Sequence, residues 1–394
     1  MEYTAKQIKE DKKISTAIMS SVAILTIQYF ILVFFNLMGT EAGSIVQLTF
    51  KGLVGLLYLI ALPSVLKRNR LKFMATYFMA IFIFIFNYAI FGENWIYLKT
   101  IVFPLFFTCL PSLIYAYSIE NWDILKETMK KVSNIVFVVG TLIGILVFTG
   151  SSTVGSYSMS LSYYILLPAI MFMDEFVDKK TIKSGIKLTV AMIVILALGS
   201  RGAVMCFGVF IILKLIKRIK NITSAKAMLY IILFSLVILG IMLFDEILGI
   251  INETLISYGI HSRTLALFLQ GGVYLSGRDT LYEDVFNEIL NKPFLGIGLA
   301  GDRLIIGGGY VHNIFLEILA NFGFILGGFL IVFLIFLLVR NLLERDIRRY
   351  NMAIVWIGLG FVPLLVSGSY LTDFNFWIML GILTRELKVN LREN

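Results

Sequence analysis

Long apolar runs dominate the chain. Within these runs, polar residues recur with neither the period of an amphipathic helix nor that of a strand. Residues 71–91 are apolar on every face and about 20 residues long, the length that a helix needs to cross a bilayer. Barrel strands would be shorter, alternating runs of about 10 residues. Twelve such runs occur, at 14–38, 44–66, 71–91, 96–118, 133–150, 155–173, 184–200, 202–219, 226–244, 312–339, 351–368 and 371–386. The pattern predicts an all-α fold, a polytopic membrane helix bundle of about 12 transmembrane helices.

Composition excludes a soluble globular domain. Hydrophobic residues make up 59% of the 394 residues and charged residues 15%, whereas soluble domains carry about 25% charged residues. Cys109 and Cys206 lie in apolar runs and are too few for a disulfide framework. We expect a single membrane domain over residues 1–394.

The basic residues predict the orientation of the helices. With the N-terminus inside, 27 of the 34 Lys and Arg residues fall in segments on the cytoplasmic side. This is the positive-inside pattern, and it predicts a multi-pass protein with cytoplasmic N- and C-termini. The surplus of basic residues, a net charge of +9, then reflects the topology and faces anionic membrane lipids. No nucleic acid partner is expected.

One predicted outer connection is long. Residues 245–311 form an extracytoplasmic loop between predicted helices 9 and 10, and uncommitted loops of this length are often functional. Thr280 and Glu283 match a capping box, and Pro293 marks the end of the short helix that would follow. Its apolar residues recur every four positions: Leu281, Val285 and Ile289. A short amphipathic helix is therefore expected, lying on the membrane or on the helix bundle.

The loop also contains a glycine motif of the form G-x-G-x-x-G, formed by Gly296, Gly298 and Gly301. The motif follows a helix rather than a strand, so it does not indicate a dinucleotide site. The glycines favour tight turns that bring the backbone close to a ligand or to neighbouring helices.

Three residues on the predicted outer side are candidates for chemistry. Arg201 lies among small residues where the sequence otherwise avoids positive charge, so function is favoured over an arginine that snorkels to the head groups. Arg278 is a candidate ligand or a loop arginine paired with a neighbouring carboxylate. His312 precedes a membrane helix, where a capping or packing role is the alternative.

Together these side chains suit one reaction class. Guanidinium groups bind diphosphate in a bidentate manner, and a histidine can take a proton from a sugar hydroxyl. His261 is the only other histidine, so we expect no metal site.

The motifs that carry these residues resemble the O-antigen polymerase and ligase family. They are SRGA at 200–203, SGR at 276–278, NKPFLGIGLAG at 291–301 and VHNIFLEILANFG at 311–323. The resemblance implies a multi-helix bacterial membrane glycosyltransferase of the cell (inner) membrane. In that family the arginines that match Arg201 and Arg278 hold the lipid diphosphate, and the histidine that matches His312 activates the acceptor hydroxyl. The chain departs from the family at Leu281 and Tyr282, where a tryptophan is frequent.

The expected function is polymerisation of undecaprenyl-diphosphate-linked repeat units into a cell-surface polysaccharide, a capsule or an exopolysaccharide, without a cofactor. The expected partners are a lipid-linked oligosaccharide donor and acceptor, membrane lipids and other polysaccharide-export proteins. Further candidate substrate-binding residues are Arg263, Arg303, Tyr310 and Asn313. A ligase that transfers a finished glycan to another acceptor stays open as an alternative. A flippase or transporter is a weaker alternative, because no similarity between two halves is visible.

Overall fold

The structure is a computed structural model that describes residues 3–148, 159–197, 201–217, 244–257 and 278–393. These residues form α-helices and short 3₁₀ and π turns, with no strand among them. The described helices, numbered in chain order, are α1 Ala5–Phe34, α2 Glu41–Ile90, α3 Trp95–Pro104, α4 Leu110–Ser118, α5 Trp122–Phe148, α6 Met159–Lys179, α7 Ile182–Ala197, α8 Arg201–Ile216, α9 Phe244–Ser257, α10 Arg278–Asn291, α11 Gly301–Ile306, α12 Ile314–Leu342, α13 Ile347–Trp356 and α14 Phe374–Glu393. The helical fold that the apolar pattern predicts is thereby confirmed.

Two compact units divide the chain. Unit 1 consists of Met1–Ser21, Lys51–Met129 and Leu275–Asn394, and unit 2 consists of Val22–Phe50 and Lys130–Tyr274. Helices α3, α4 and α10 to α14 belong to unit 1, and α6 to α9 belong to unit 2. The long segment 245–311 therefore contributes α9 to one unit and α10 and α11 to the other.

Five helical stretches in the described part are long and apolar enough to cross a membrane. They are α1, α2, α12, the stretch Gly92–Ser118 and the stretch Trp122–Leu146. Helix α2 covers two predicted spans and is broken at Asn69, whose φ of −142° and ψ of 39° are not helical. The predicted count of about 12 transmembrane helices is not confirmed, and residues 226–243 of the ninth predicted span lie outside the described part.

Polar segments that the charge pattern assigns to the cytoplasm meet one another in unit 1. The Arg68 guanidinium donates to an Asp11 carboxylate oxygen at 2.5 Å and to the Ser118 carbonyl at 2.9 Å. The same carboxylate accepts from the backbone N–H groups of Glu120 and Asn121 at 3.0 and 3.1 Å. Contacts among three distant segments place them on the same side of the helices, as the predicted topology requires.

Helix α12 is broken near its start. Gly323 has a φ of 71° and interrupts the helical backbone. The Ala320 carbonyl accepts from the Ile297 N–H at 2.7 Å, and the Phe324 N–H donates to the Pro293 carbonyl at 2.8 Å. The segment that precedes α11 thus satisfies the backbone groups that the break exposes, as an apolar environment demands.

Gly296 of the G-x-G-x-x-G motif and Gly323 of α12 make this contact possible. A Cβ at Gly296, whose φ is +68°, would lie 2.4 Å from the Ala320 carbonyl oxygen. A Cβ at Gly323 would lie 2.4 Å from the Phe294 carbonyl oxygen. The predicted role for these glycines, close approach to a neighbouring helix, is confirmed at Gly296.

The predicted span 351–368 is not a continuous helix. After α13 the chain forms a π turn, Ile357–Phe361, and a 3₁₀ turn, Val362–Leu365. Pro363 has no N–H to continue a helix, and helical structure resumes only at Phe374. The intervening residues are therefore free to form a turn beside the candidate site.

In unit 2, helix α6 packs against α7 and α8. The Lys214 ammonium of α8 lies 2.5 Å from an Asp174 carboxylate oxygen and 3.2 Å from one of Asp178, both on α6. The side chains of Lys214 and Asp174 are each 3% exposed. This ion pair joins α8 to α6. Removal of either partner would leave a buried charge uncompensated, which is strongly destabilising.

The amphipathic helix predicted in the long segment is present as α10. Val285 and Ile289 are fully buried and pack with Ala320 of α12, whereas Leu290 is exposed. The apolar face therefore lies on the bundle, one of the two predicted placements. The capping-box prediction was wrong in register, because α10 begins at Arg278 and Thr280 lies within the first turn.

Candidate active site

A turn formed by residues 366–370, here called the 366–370 turn, collects the candidate side chains of unit 1. The Arg278 guanidinium at the start of α10 donates to the Val366 carbonyl. The Tyr310 hydroxyl donates to the Ser367 carbonyl at 2.9 Å. Two residues that are distant in sequence from the turn are thus held by adjacent carbonyl groups.

His312 lies next to these residues. Its ring centroid is 4.3 Å from that of Tyr310, and its backbone adopts a left-handed conformation with a φ of 54°. Burial lowers the pKa of His312 below its ordinary value, the positive charge of Arg278 lowers it further, and hydrogen bonding with the Ser367 backbone opposes both. The buried Nδ1 atom has no hydrogen-bond partner among the described residues. His312 is therefore favoured as a neutral imidazole that is able to accept a proton.

Asn313 caps helix α12. Its side-chain oxygen accepts from the Phe315 and Leu316 N–H groups at 3.0 and 3.2 Å. The cap satisfies N–H groups that the first helical turn leaves unpaired, so it fixes the direction in which α12 leaves His312.

A buried polar cluster lies beneath the same turn, formed by Asp302, Arg303, Glu317 and Ser369. Arg303 Nη2 donates to Ser369 Oγ at 3.3 Å, and the Ser369 hydroxyl donates to Glu317 at 2.5 Å. Asp302 accepts from the Val311 N–H at 3.1 Å, and burial raises its pKa while the Arg303 charge opposes this. Asp302 and Glu317 are at most 1% exposed and Arg303 is 8% exposed. The Arg303 guanidinium therefore lies in a buried cluster with two acidic side chains and donates to Ser369, whereas Arg278 donates to the Val366 carbonyl.

The other sequence-predicted residues are placed as follows. Arg201 is the first residue of α8 in unit 2. Arg278, Arg303, Tyr310, His312 and Asn313 all belong to unit 1. Arg263 lies outside the described residues. The structure therefore brings together the unit 1 members of the predicted set and places the backbone of Arg201 at a helix start.

Among the described residues, no group of three or more His, Cys, Asp or Glu side chains is placed so that it could hold a metal ion. The positive charge of this site within unit 1 is supplied by Arg278 and Arg303. Those side chains are suited to anions and to carbonyl oxygens.

Sequence reasoning missed Asp302, Glu317 and Ser369. Glu317 carried a usable signal, because it is an ionisable residue near the start of an otherwise apolar span, and such residues mark functional sites. Ser369 carried none, since it follows a predicted membrane span and is brought to Glu317 only by tertiary contacts.

Part of the chain is similar to a known protein family. Residues 187–332 match the family model for O-antigen ligase. The match confirms the resemblance to the O-antigen polymerase and ligase family and supports a membrane glycosyltransferase of that type. No curated protein and no solved structure matches the chain.

The O-antigen ligase match includes Arg201, Arg278, His312 and Glu317. It ends within α12, before the 366–370 turn. The turn that holds Arg278 and Tyr310 is thus a part of the site that lies beyond the matched O-antigen ligase region.

Proposed function

We propose that this protein is a polysaccharide repeat-unit polymerase that transfers a growing glycan from undecaprenyl diphosphate to a second lipid-linked repeat unit. The observation that carries the proposal is that Arg278 and His312 both lie at the 366–370 turn, in a chain whose residues 187–332 match the family model for O-antigen ligase. A cation for an anionic leaving group and a base for a hydroxyl are the two groups that such a transfer needs.

In the proposed reaction the acceptor hydroxyl oxygen bonds to the anomeric carbon of the donor glycan. The bond between that carbon and the diphosphate oxygen breaks, and the diphosphate leaves with the electron pair. His312 takes the proton of the attacking hydroxyl, because burial and the Arg278 charge lower its pKa and favour the unprotonated imidazole. The Arg278 guanidinium donates to the neutral Val366 carbonyl, which leaves its positive charge to stabilise the diphosphate.

Arg201 is proposed as the second diphosphate ligand on the basis of the SRGA motif and of the resemblance. Arg303 is assigned a different role, because its guanidinium is held in the buried cluster with Asp302 and Glu317 and donates to Ser369. A diphosphate at Arg303 would meet the two buried carboxylates. Tyr310 is proposed to line the acceptor side, next to His312.

The proposal places segment 245–311, the first part of which is α9, on the extracytoplasmic side of the bacterial inner membrane, with both termini cytoplasmic. The predicted cytoplasmic segments that meet through Arg68 and Asp11 support this grouping. The donor carries its own leaving group, so neither a nucleotide nor a metal ion is required.

A ligase is the second candidate, because the matched family model is described as O-antigen ligase. The same arginines and histidine serve a ligase equally well, since only the acceptor differs. Supplying the purified protein with a repeat unit alone, or together with a second class of glycolipid acceptor, separates the two functions. A ladder from the repeat unit alone supports the polymerase, and a single transfer that requires the second acceptor supports the ligase.

The variants that test the site are Arg201→Lys, Arg278→Lys and His312→Ala. Lysine keeps the charge and loses the planar fork, so polymer formation should fall sharply at normal protein levels. His312→Ala should lower turnover by roughly 10²–10⁴-fold while lipid-linked substrate still binds. Gel analysis of polymer length and a binding assay with the lipid-linked unit give the two measurements.

Lys292→Ala is the matched control, because Lys292 is an exposed cation in the same long segment. It should leave the ladder unchanged. Near-normal polymer from both lysine variants would contradict the diphosphate assignment, and near-normal polymer from His312→Ala would contradict the base.

A further inference from the structure

Glu317 is a carboxylate buried in the first turn of α12, a helix long and apolar enough to cross a membrane. Its side chain is 1% exposed. One carboxylate oxygen accepts from the Ser369 hydroxyl, and the other accepts from the Tyr370 backbone N–H at 3.1 Å. Burial of a carboxylate is costly, and here two donors from one turn offset that cost.

These hydrogen bonds join two elements that carry the proposed chemistry. On one side, the Glu317 N–H donates to the Asn313 carbonyl at 2.9 Å, so Glu317 lies one helical turn from the residue that follows His312. On the other side, Ser369 and Tyr370 belong to the same turn as Val366 and Ser367, whose carbonyl groups accept from Arg278 and Tyr310.

We propose that Glu317 is a positioning residue that fixes His312 relative to Arg278, by tying the first turn of α12 to the 366–370 turn. This inference rests on the proposed function. It adds a residue that does not touch the substrate but sets the distance between the base and the diphosphate-binding cation. Misplacement of reacting groups by 1 Å costs roughly 10²-fold in rate. Loss of the hydrogen bonds that fix His312 relative to Arg278 should therefore slow the reaction strongly.

Arg303 completes the tie. Its Nη2 atom donates to the hydroxyl of Ser369, and its carbon Cζ lies 5.9 Å from the centre of the Tyr310 ring. Asp302, the other buried carboxylate, also anchors the Val311 N–H immediately before His312. The cluster therefore holds the chain on both sides of the candidate base.

Glu317→Gln tests the inference. Glutamine keeps the size of the side chain, but its amide NH₂ cannot accept from a donor, so one of the two hydrogen bonds to the turn is lost. We expect kcat with a lipid-linked repeat unit to fall by roughly 10²-fold. KM for the same unit should change far less, because Glu317 does not contact it.

Asn321→Leu is the matched control for a merely structural role. Asn321 lies one turn further along α12 and donates to the hydroxyl of Tyr370 at 2.6 Å. The variant removes a buried hydrogen bond between the same helix and the same residue, but it leaves the backbone of the 366–370 turn untouched. It should lower the midpoint temperature of unfolding in detergent while kcat stays near the wild-type value.

A double-mutant cycle gives a readout that stability alone would not produce. If Glu317 acts through His312, Glu317→Gln should cost no more than about twofold in the His312→Ala background. Ser369→Ala breaks the tie from the side of the turn and should also lower kcat, which keeps the test decisive where Glu317→Gln does not fold.

The outcomes are distinguishable. If the wild-type protein is active and the Glu317→Gln and Ser369→Ala variants have the same kcat as Asn321→Leu, the inference is wrong and the proposed function stands. Full additivity of Glu317→Gln with His312→Ala would do the same. A wild-type protein that transfers no glycan from any lipid-linked donor would overturn the proposed function, and the inference with it.

Discussion

At the scale of single residues, the charge of Arg278 acts on the proton affinity of His312. Both side chains lie at the 366–370 turn, and the Arg278 charge lowers the pKa of His312, as burial also does. Tyr310 is the neighbouring ring. Loss of the Arg278 charge should therefore raise the pKa of His312, whereas a lysine at that position should not.

Chemical modification measures this shift without an activity assay. The chain has two histidines, so in a His261→Gln background diethyl pyrocarbonate reports on His312 alone. Only the neutral imidazole reacts, and the midpoint of the rate against pH gives the pKa. We expect the midpoint to lie below about 6.5 and to move to higher pH in Arg278→Gln but not in Arg278→Lys. A midpoint unchanged by Arg278→Gln would show that the two side chains do not interact.

The chemistry of the available side chains also predicts independence from metal ions. In the proposed reaction Arg201 and Arg278 supply the positive charge, and a guanidinium needs no metal to stabilise a leaving diphosphate. Transfer of glycan should therefore persist in EDTA at the untreated rate. Loss of activity on chelation, with recovery on addition of Mg²⁺ or Mn²⁺, would reveal ligands that the sequence argument missed.

At the scale of elements, the break in α12 depends on backbone that only glycine accommodates. Gly323→Ala should destabilise the protein by about 1–3 kcal/mol, because the residue has a φ of +71° and its Cβ would meet the Phe294 carbonyl at 2.4 Å. Thermal unfolding in detergent at a fixed scan rate measures the change. Gly328→Ala, in the same helix and with open space around its Cβ, is the control and should leave the midpoint unchanged or raise it.

At the scale of the whole molecule, the distribution of charge predicts which segments face outward. Glu253 of α9 is exposed and lies in the predicted extracytoplasmic segment, and Lys12 is exposed and predicted to be cytoplasmic. A cysteine at Glu253 should react with a membrane-impermeant thiol reagent in intact cells or spheroplasts, and one at Lys12 only after lysis. The native Cys109 and Cys206 are buried and should give a low background. The reverse labelling pattern would overturn the orientation.

The sequence by itself determined the helical class, because a run of about 20 apolar residues can satisfy its backbone in lipid only as a helix. It also determined the order of the motifs at Arg201, Arg278 and His312, and the family match to residues 187–332 bears out that resemblance. Tertiary structure alone decided that Ser369 meets Glu317, 52 residues away. Periodicity describes only one element at a time. A turn that collects side chains from α10, α11 and α12 is specified by the packing of those helices, which no local pattern encodes.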